Sequence, residues 1–364
     1  MNRLILPLMC VLPLVAQQQA PPPPSPEVHP DRTITFRVKA PNAQKVNLVF
    51  EGAKPQPMTK DDSGLWSITT GPHDPQIYGY SYNIDGVGFV DPSGGPLKTN
   101  ALSVQSMVLV PGATPMNWER TAVPHGAVHH VLYESAIVGD KRDYYVYTPP
   151  NFDRKKRYPL MVLMHGFSDY ADGWTTVGQA NLIFDNMLSR NEIKPMIVLM
   201  PLGYGAPEVL RRGTGPRDPS VGERNITKLG EAILQEMLPQ LEKEYKLLKG
   251  PQNRAIVGLS MGGGQSIQIG LNHLEQFGWI GAFSAGVPGD PDKALPNLSE
   301  KDNARIKLFW IACGKDDFLY KNNLKFMDWL KGKNIKYTWV ESSGGHVWMN
   351  WRNYLADFSK AIRW

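Results

Sequence analysis

The sequence predicts two domains, a small antiparallel β-sandwich followed by a larger α/β domain whose mainly parallel sheet is doubly wound. Apolar and polar residues alternate between Arg32 and Tyr82, with turn signals in between, and this pattern is typical of short β-strands. Beyond residue 130, apolar strand-like runs alternate with segments of helical periodicity. A chain of 364 residues with 42% hydrophobic residues has enough apolar side chains for two such cores.

The N-terminus has the pattern of a secretory signal peptide. A short start containing Arg3 is followed by an apolar run from Leu4 to Ala16 and then by polar glutamines. The alternative is a membrane anchor, but this run is shorter than the roughly 20 residues that a spanning helix requires. We therefore expect residues 1–19 to be a signal peptide, and the mature chain to be secreted, extracellular or periplasmic, without a membrane span.

Charge and cysteine content exclude several classes of protein. The net charge of +5 is spread along the chain without a long Lys/Arg block, so the sequence predicts no nucleic-acid partner. Of the two cysteines, Cys10 lies in the predicted signal peptide, which leaves Cys313 without an internal disulfide partner. There is no paired Cys/His spacing and no glycine-rich dinucleotide fingerprint, so we expect neither a metal nor an organic cofactor.

Changes in composition predict the domain boundaries. Residues 20–30 are proline-rich and predict an extended linker, because proline lacks an N–H and fixes φ. The β-sandwich is predicted over residues 31–112, where Phe36 and Tyr80 belong to alternating apolar series. Residues 113–130 predict a second linker, and residues 131–364 the α/β domain.

The clearest chemical signal is Gly258-x-Ser260-x-Gly262. An apolar strand-like run, 254–259, leads into this motif, and a segment of helical character follows it. In α/β-hydrolases the same strand–turn–helix exposes a nucleophilic serine on a strained turn, and the small residues on either side let the backbone pass close by. The sequence therefore predicts an α/β-hydrolase domain with Ser260 as its nucleophile.

A serine hydroxyl needs a base that accepts its proton, and that base needs an orienting acid. In α/β-hydrolases the chain order is serine, acid, histidine. After Ser260, a strand-like run ends at the adjacent carboxylates Asp316 and Asp317, and a later one is followed by His346. Both positions follow strands at the edge of the sheet where such folds bind ligands. We therefore predict His346 as general base and one of the two aspartates as its partner.

The oxyanion formed during ester cleavage needs backbone N–H donors. One is expected from Met261, the residue after the nucleophile. A second is expected from Phe167, because His165 and Gly166 end a predicted strand at the same edge of the sheet. The imidazole of His165 is interpreted as a structural hydrogen-bonding group.

Residues 131–364 closely resemble carbohydrate esterase family 1, which contains feruloyl and acetylxylan esterases. The resemblance implies an esterase whose acid is the third residue after the glycine of the Cys-Gly segment, and this selects Asp317. The matching segments, in chain order, are Tyr147 to Pro150, His165-Gly166, Met200 to Gly205, Gly258 to Gly262, Cys313 to Asp317 and Gly345-His346.

Residues 31–111 resemble the immunoglobulin-like family 48 carbohydrate-binding module, through motifs such as Gly64-Leu65-Trp66 and Tyr80-Ser81-Tyr82. The resemblance implies sugar binding; alternatively, these aromatic side chains fill the sandwich core and the domain has only a packing role.

Together the two resemblances imply a secreted enzyme acting on polysaccharide esters, with feruloylated arabinoxylan as the expected substrate. Tyr204 and Trp348 are candidates for an apolar slot that holds a phenolic ring, although both side chains are equally compatible with a place in the core. The alternatives are an acetylxylan esterase, a siderophore esterase of the enterobactin type and, outside enzymes, a carbohydrate-binding protein with an inactive esterase domain.

Overall fold

The computed structural model describes residues 23–210, 218 and 220–364, so the predicted signal peptide at residues 1–19 lies outside the described part of the chain. An N-terminal β-sandwich is followed by an α/β domain with helices on both faces of one sheet. The predicted fold class is confirmed.

The N-terminal domain consists of two antiparallel sheets that enclose one core. Phe36 from one sheet and Tyr80 from the other meet there, with ring centroids 4.8 Å apart. The strands are β1 (Glu27–Val28), β2 (Ile34–Lys39), β3 (Val46–Phe50), β4 (Gln56–Pro57), β5 (Thr59–Lys60), β6 (Leu65–Thr70), β7 (Gln76–Ile84), β8 (Val87–Phe89), β9 (Leu97–Thr99) and β10 (Val104–Val110). One sheet has the order β1-β2-β6-β5 and the other β4-β3-β7-β10-β9, with β8 paired to β7.

The aromatic residues of the predicted sugar-binding motifs lie inside this core. Trp66, Tyr80 and Tyr82 are all buried. The hydroxyls of both tyrosines donate to Asp91 Oδ2, each over 2.9 Å. These side chains stabilise the sandwich and do not form a binding surface.

Both predicted linkers need correction. Ser25 donates to Asp91 Oδ2 over 3.2 Å and β1 pairs with β2, so part of the 20–30 segment belongs to the sandwich. Proline is tolerated beside β1 because that strand lies at the sheet edge. In the 113–130 segment, His125 Nδ1 lies 2.9 Å from Asp185 Oδ2, and residues 127–130 already belong to the first strand of the α/β domain.

The C-terminal domain is built on one eight-stranded sheet. Its strands are β11 (Ala127–Ser135), β12 (Asp140–Thr148), β13 (Leu160–Met164), β14 (Ile197–Pro201), β15 (Arg254–Leu259), β16 (Trp279–Phe283), β17 (Leu308–Gly314) and β18 (Thr338–Ser342). They lie in the order β11-β12-β14-β13-β15-β16-β17-β18. The pairs β11–β12 and β12–β14 are antiparallel, and all the others are parallel. The carboxyl ends of β13, β15, β17 and β18 therefore meet at one edge.

Helices cover both faces of this sheet. They are α1 (Gly173–Thr176), α2 (Ala180–Ser189), α3 (Val221–Ala232), α4 (Leu238–Glu244), α5 (Met261–Asn272), α6 (Pro291–Ala294), α7 (Tyr320–Gly332) and α8 (Trp348–Ala361). A π-helical turn (Ile233–Met237) joins α3 to α4, and short 3₁₀ turns are formed by Pro207–Leu210, Pro251–Asn253 and Glu300–Ala304. Apolar residues of α3, α4, α5 and α7 pack on one face, and those of α1, α2 and α8 on the other.

One buried arginine joins the two domains. Arg352 on α8 is only 1% exposed. Its guanidinium donates to Val177 O over 2.8 Å within the α/β domain. It also donates to Gln76 Oε1 over 2.9 Å and to Ile77 O over 3.1 Å, both on strand β7 of the sandwich. The sandwich is therefore bound to the helix that begins two residues after His346.

Cys313 is a free cysteine that lies fully buried in β17. Burial raises the pKa of its thiol to about 12, and the neighbouring Asp317 carboxylate adds to the effect. The thiol is therefore protonated and unreactive in the folded protein.

Candidate active site

Ser260 lies on a sharp turn between β15 and α5, with φ 53° and ψ −115°. A non-glycine residue adopts a positive φ only where its surroundings enforce it. Here they do so through close packing, since a Cβ at Gly258 would lie 2.6 Å from the Gly262 carbonyl carbon, and one at Gly262 would lie 2.4 Å from His165 O. The two glycines of the motif thus let the turn form against the end of β13.

The structure brings together the three predicted catalytic side chains. His346 Nε2 lies 2.9 Å from Ser260 Oγ, and His346 Nδ1 lies 2.9 Å from Asp317 Oδ2. With the proton on Nδ1 donated to the carboxylate, Nε2 is free to accept the serine proton. Burial raises the pKa of Asp317, but hydrogen bonds from His346 and from the Leu319 N–H more than offset this and leave the pKa below its usual value. Asp317 is therefore ionised at neutral pH.

Asp316 has a different position. Its side chain is exposed, and Oδ2 accepts a hydrogen bond from the Gly344 N–H over 3.2 Å. It therefore links the loops after β17 and β18, whereas the neighbouring Asp317 contacts His346.

The two predicted oxyanion donors belong to residues near Ser260. Met261 is the first residue of α5, where backbone N–H groups have no acceptor within the helix. Phe167 lines the same pocket as Ser260 and His346.

His165 holds the loop that carries Phe167. Its Nδ1 donates to Gly166 O over 2.8 Å, and its Nε2 accepts from the Gly203 N–H over 2.8 Å. Burial lowers the pKa of His165 to about 4, so the ring is neutral and this pattern of donor and acceptor is retained at neutral pH. The ring thus takes the structural position that the sequence predicted for it.

The two predicted substrate-binding aromatics differ in position. Both side chains are only 2% exposed. Trp348 nevertheless lines the pocket, and its ring packs edge-to-face on Trp174 and Trp351. Tyr204 does not line this pocket; it packs against the His165 ring and donates its hydroxyl to Asp169 O over 2.8 Å. The prediction that Tyr204 contacts substrate therefore needs correction, since this side chain supports the loop behind the pocket.

Two aromatic residues pack against His346, and sequence reasoning missed the first of them, Phe318. Phe318 is 74% exposed, and its ring centroid lies 4.5 Å from that of His346. Trp351 also packs on His346, edge-to-face with ring centroids 4.9 Å apart, and donates its Nε1–H to Ser284 Oγ over 3.1 Å. The position of Phe318 directly after Asp317 is a signal that sequence analysis could have used.

The active-site pocket has a volume of about 180 Å³ and is lined by both domains. The α/β domain supplies Ser260 and His346, and the sandwich supplies Glu51, Lys98 and Asn100. No sequence signal marked these three polar residues, because their contribution depends on how the domains pack.

Asp169 is a second buried acid beside this pocket. Burial raises its pKa to about 6, although the hydrogen bond from Asn100 Nδ2 and the positive charge of Lys98 both act to lower it. The Asn100 Nδ2–Asp169 Oδ1 distance is 2.9 Å, so the bond crosses the domain interface.

A larger cavity of about 700 Å³ lies between α3, α5 and the Gly286–Asp290 loop. Its lining includes neither Ser260 nor His346, whereas the smaller pocket contains both, so the smaller pocket is the candidate site. Within the described ranges, no three His, Cys, Asp or Glu side chains are grouped so that they could bind a metal ion. No helix there combines the length and apolarity that crossing a membrane requires.

The sheet, the strained serine turn and the hydrogen-bonded triad define a serine hydrolase of the α/β-hydrolase fold. Residues 135–362 match the profile of the family "Esterase: Putative esterase", and the chain belongs to this family. Membership in this family makes the α/β domain a carboxylic-ester hydrolase domain.

The chain is also similar to individual proteins. An endo-1,4-beta-xylanase/feruloyl esterase of Xylanibacter ruminicola is 29% identical over 93% of this chain, which spans only 46% of that protein. A CE1 ferulic acid esterase from Anaeromyces mucronatus, solved with ferulic acid, has a TM-score of 0.58 at 21% identity, over 67% of this chain and 93% of its own. The enterobactin esterase of Shigella flexneri has a TM-score of 0.66 at 15% identity, over 91% of this chain and 93% of its own. The two structural likenesses concern the fold alone.

Proposed function

We propose that this protein is a secreted serine feruloyl esterase that releases ferulate from arabinoxylan. The observation that carries the proposal is the hydrogen-bonded series Ser260–His346–Asp317 beside a pocket lined by aromatic side chains. The likeness to a xylanase/feruloyl esterase over 93% of the chain supports the choice of substrate. Secretion is supported by the N-terminal sequence pattern.

The geometry supports a two-step mechanism through an acyl-enzyme. Ser260 Oγ attacks the ester carbonyl while His346 Nε2 accepts its proton, and the N–H groups of Met261 and Phe167 stabilise the oxyanion. The ester C–O bond then breaks, and His346 gives the proton to the departing sugar oxygen, which leaves as the alcohol. Water, deprotonated by His346, attacks the acyl-enzyme; the bond between the acyl carbon and Ser260 Oγ breaks, His346 returns the proton to Oγ, and the free acid is released.

For the sandwich we propose a role in carbohydrate binding in addition to its structural one. The resemblance to family 48 modules supports this role. Because Trp66, Tyr80 and Tyr82 are buried, the binding surface must consist of other residues. Exposed apolar side chains on this domain, such as Val87 and Phe89, are the first candidates.

A siderophore esterase of the enterobactin type is the second candidate function. It is favoured by the likeness to an enterobactin esterase over both domains, because that fold match covers 91% of this chain. Catechol siderophores and feruloyl esters both carry a phenolic ring, which suits a pocket lined by aromatic side chains.

A side-by-side hydrolysis assay with methyl ferulate, acetylated xylan and a catechol siderophore tests the proposal. We expect the highest kcat/KM on methyl ferulate. Ser260→Ala is expected to lower turnover by roughly 10⁴-fold or more while the thermal unfolding curve is unchanged. Preference for acetylated xylan or for the siderophore would contradict the proposed substrate, and an active Ser260→Ala variant would contradict the mechanism.

A further inference from the structure

The sandwich contributes an ion pair to the wall of the active-site pocket. Lys98 Nζ lies 2.6 Å from Glu51 Oε1. The other oxygen, Glu51 Oε2, accepts a hydrogen bond from the Gly79 N–H over 2.7 Å. The Lys98 and Glu51 side chains are only 17% and 9% exposed, so the pair is held in place and largely removed from solvent.

The ammonium group of Lys98 has more N–H donors than its bond to Glu51 uses. A lysine ammonium carries three N–H donors. Within the part of the chain that the structure describes, Glu51 is the hydrogen-bond partner of this group. Donors that remain beside Ser260 and His346 are available to a substrate in the pocket.

The charges around Lys98 favour a neutral oxygen acceptor over an anion. The Glu51 carboxylate already balances the ammonium, and a second acid, Asp169, lines the same pocket. A bound carboxylate would add a further negative charge beside these two acids. A hydroxyl oxygen, in contrast, accepts a hydrogen bond from the ammonium without adding charge.

We infer that Lys98 is a specificity-determining residue, whose ammonium donates a hydrogen bond to a hydroxyl oxygen of the ester substrate. This assignment rests on the proposed function and deepens it. The hydroxyl belongs either to the phenolic ring of the acyl group or to the sugar that leaves as the alcohol. In both cases the N-terminal domain selects substrate within the active site itself.

The test compares the full-length wild type with Lys98→Met on three esters. Methyl p-coumarate carries only the phenolic hydroxyl, the cinnamoyl ester of arabinose carries only sugar hydroxyls, and methyl cinnamate carries neither. We expect kcat/KM to fall roughly 10-fold or more on one of the first two esters, since a charged hydrogen bond is lost, and less than about 2-fold on methyl cinnamate. We expect this loss to appear mainly as an increase in KM and less as a decrease in kcat.

Three further variants control for structural effects. Lys98→Arg retains a cationic donor and is expected to restore part of the selective loss. Because Lys98→Met leaves Glu51 without its ion pair, the comparison is repeated in a Glu51→Gln background. Lys45→Met replaces an exposed lysine of the same domain and is expected to change none of the three rates.

A selective loss on methyl p-coumarate supports the assignment and places the hydroxyl on the acyl group; a selective loss on the arabinose ester places it on the alcohol. Equal loss on all three esters, or no loss on any, overturns the assignment while leaving the proposed function intact. A wild-type enzyme that cleaves none of these esters overturns the proposed function, and the assignment with it.

Discussion

Asp316 and Asp317 are adjacent in sequence but have different partners. Asp317 accepts the Nδ1–H of His346, whereas Asp316 is exposed and accepts the Gly344 N–H. Asp317→Asn is expected to lower kcat by roughly 10⁴-fold, because an amide favours the wrong tautomer of the histidine. Asp316→Asn retains an oxygen acceptor, so we expect less than about a 3-fold effect on the same methyl ferulate assay. The reverse order would reassign the acid.

Asp169 makes stability depend on pH. Its pKa is about 6 in the folded protein against 3.8 for an ordinary aspartate, so the folded state holds the proton more tightly. The stabilisation is therefore complete below about pH 4 and is lost as pH rises through 6, a change on the order of 3 kcal/mol.

We expect Asp169→Asn to raise the melting temperature relative to wild type at pH 7.5. At pH 4.5 we expect a smaller increase in melting temperature, or a decrease. Asp62→Asn, at an exposed position, serves as the control. A difference in melting temperature that is the same at both pH values would show that ionisation of Asp169 does not affect folding.

The predictability of the site differs from residue to residue. Local motifs predicted Ser260, His346 and the Asp316/Asp317 pair, namely a glycine-flanked turn and two loops after strands, and the family resemblance then selected Asp317. Tyr204 was placed wrongly, since an aromatic residue in a glycine-rich loop does not reveal which way its ring points. Lys98 was missed, because it enters the pocket only through packing between domains.

Among the elements, helix α8 connects the catalytic loop to the sandwich. Its Arg352 satisfies carbonyl groups in both domains, and burial lowers the pKa of this guanidinium to about 10. Arg352→Met leaves these buried acceptors unpaired, so we expect roughly 3 kcal/mol of destabilisation. The melting temperature is then expected to fall by roughly 5 °C or more. Arg363→Met, an exposed position just beyond the same helix, is the control, and equal effects of the two variants would contradict this role.

Strand β11 shows why one boundary was misplaced. It is the edge strand of the large sheet, and most of its residues, including Val128 and Leu132, are exposed or half-buried. An element without a buried face has no clear hydrophobic alternation, so its first residues were assigned to the linker. The central strand β13, in contrast, is buried throughout, so its continuous apolar run is easy to recognise in the sequence.

At the scale of the whole molecule, the sandwich completes the catalytic domain. It supplies Lys98 and Asn100 to the pocket and two acceptors to Arg352. Deletion of residues 20–112 is therefore expected to lower kcat/KM on soluble methyl ferulate by roughly 10-fold or more, because pocket contacts and an interface are lost together. It is also expected to lower the melting temperature of the remaining chain.

Measuring the deletion variant on insoluble arabinoxylan as well as on soluble methyl ferulate distinguishes this structural role from targeting of the enzyme to the polymer. If the sandwich also binds polysaccharide, the deletion is expected to cost more on the polymer than on the soluble ester, since only the polymer gains from raised local concentration. Retardation of the isolated sandwich in affinity electrophoresis with arabinoxylan would be the direct evidence. A deletion variant with full activity on methyl ferulate would contradict the shared pocket.

The buried thiol of Cys313 provides a natural reporter of conformational opening. It lies in β17, four residues before Asp317, and its surroundings keep it protonated. An alkylating reagent can therefore modify it only when the sheet opens around β17. The rate of labelling, followed by mass spectrometry, measures how often the catalytic edge of the sheet opens under native conditions, without any engineered probe.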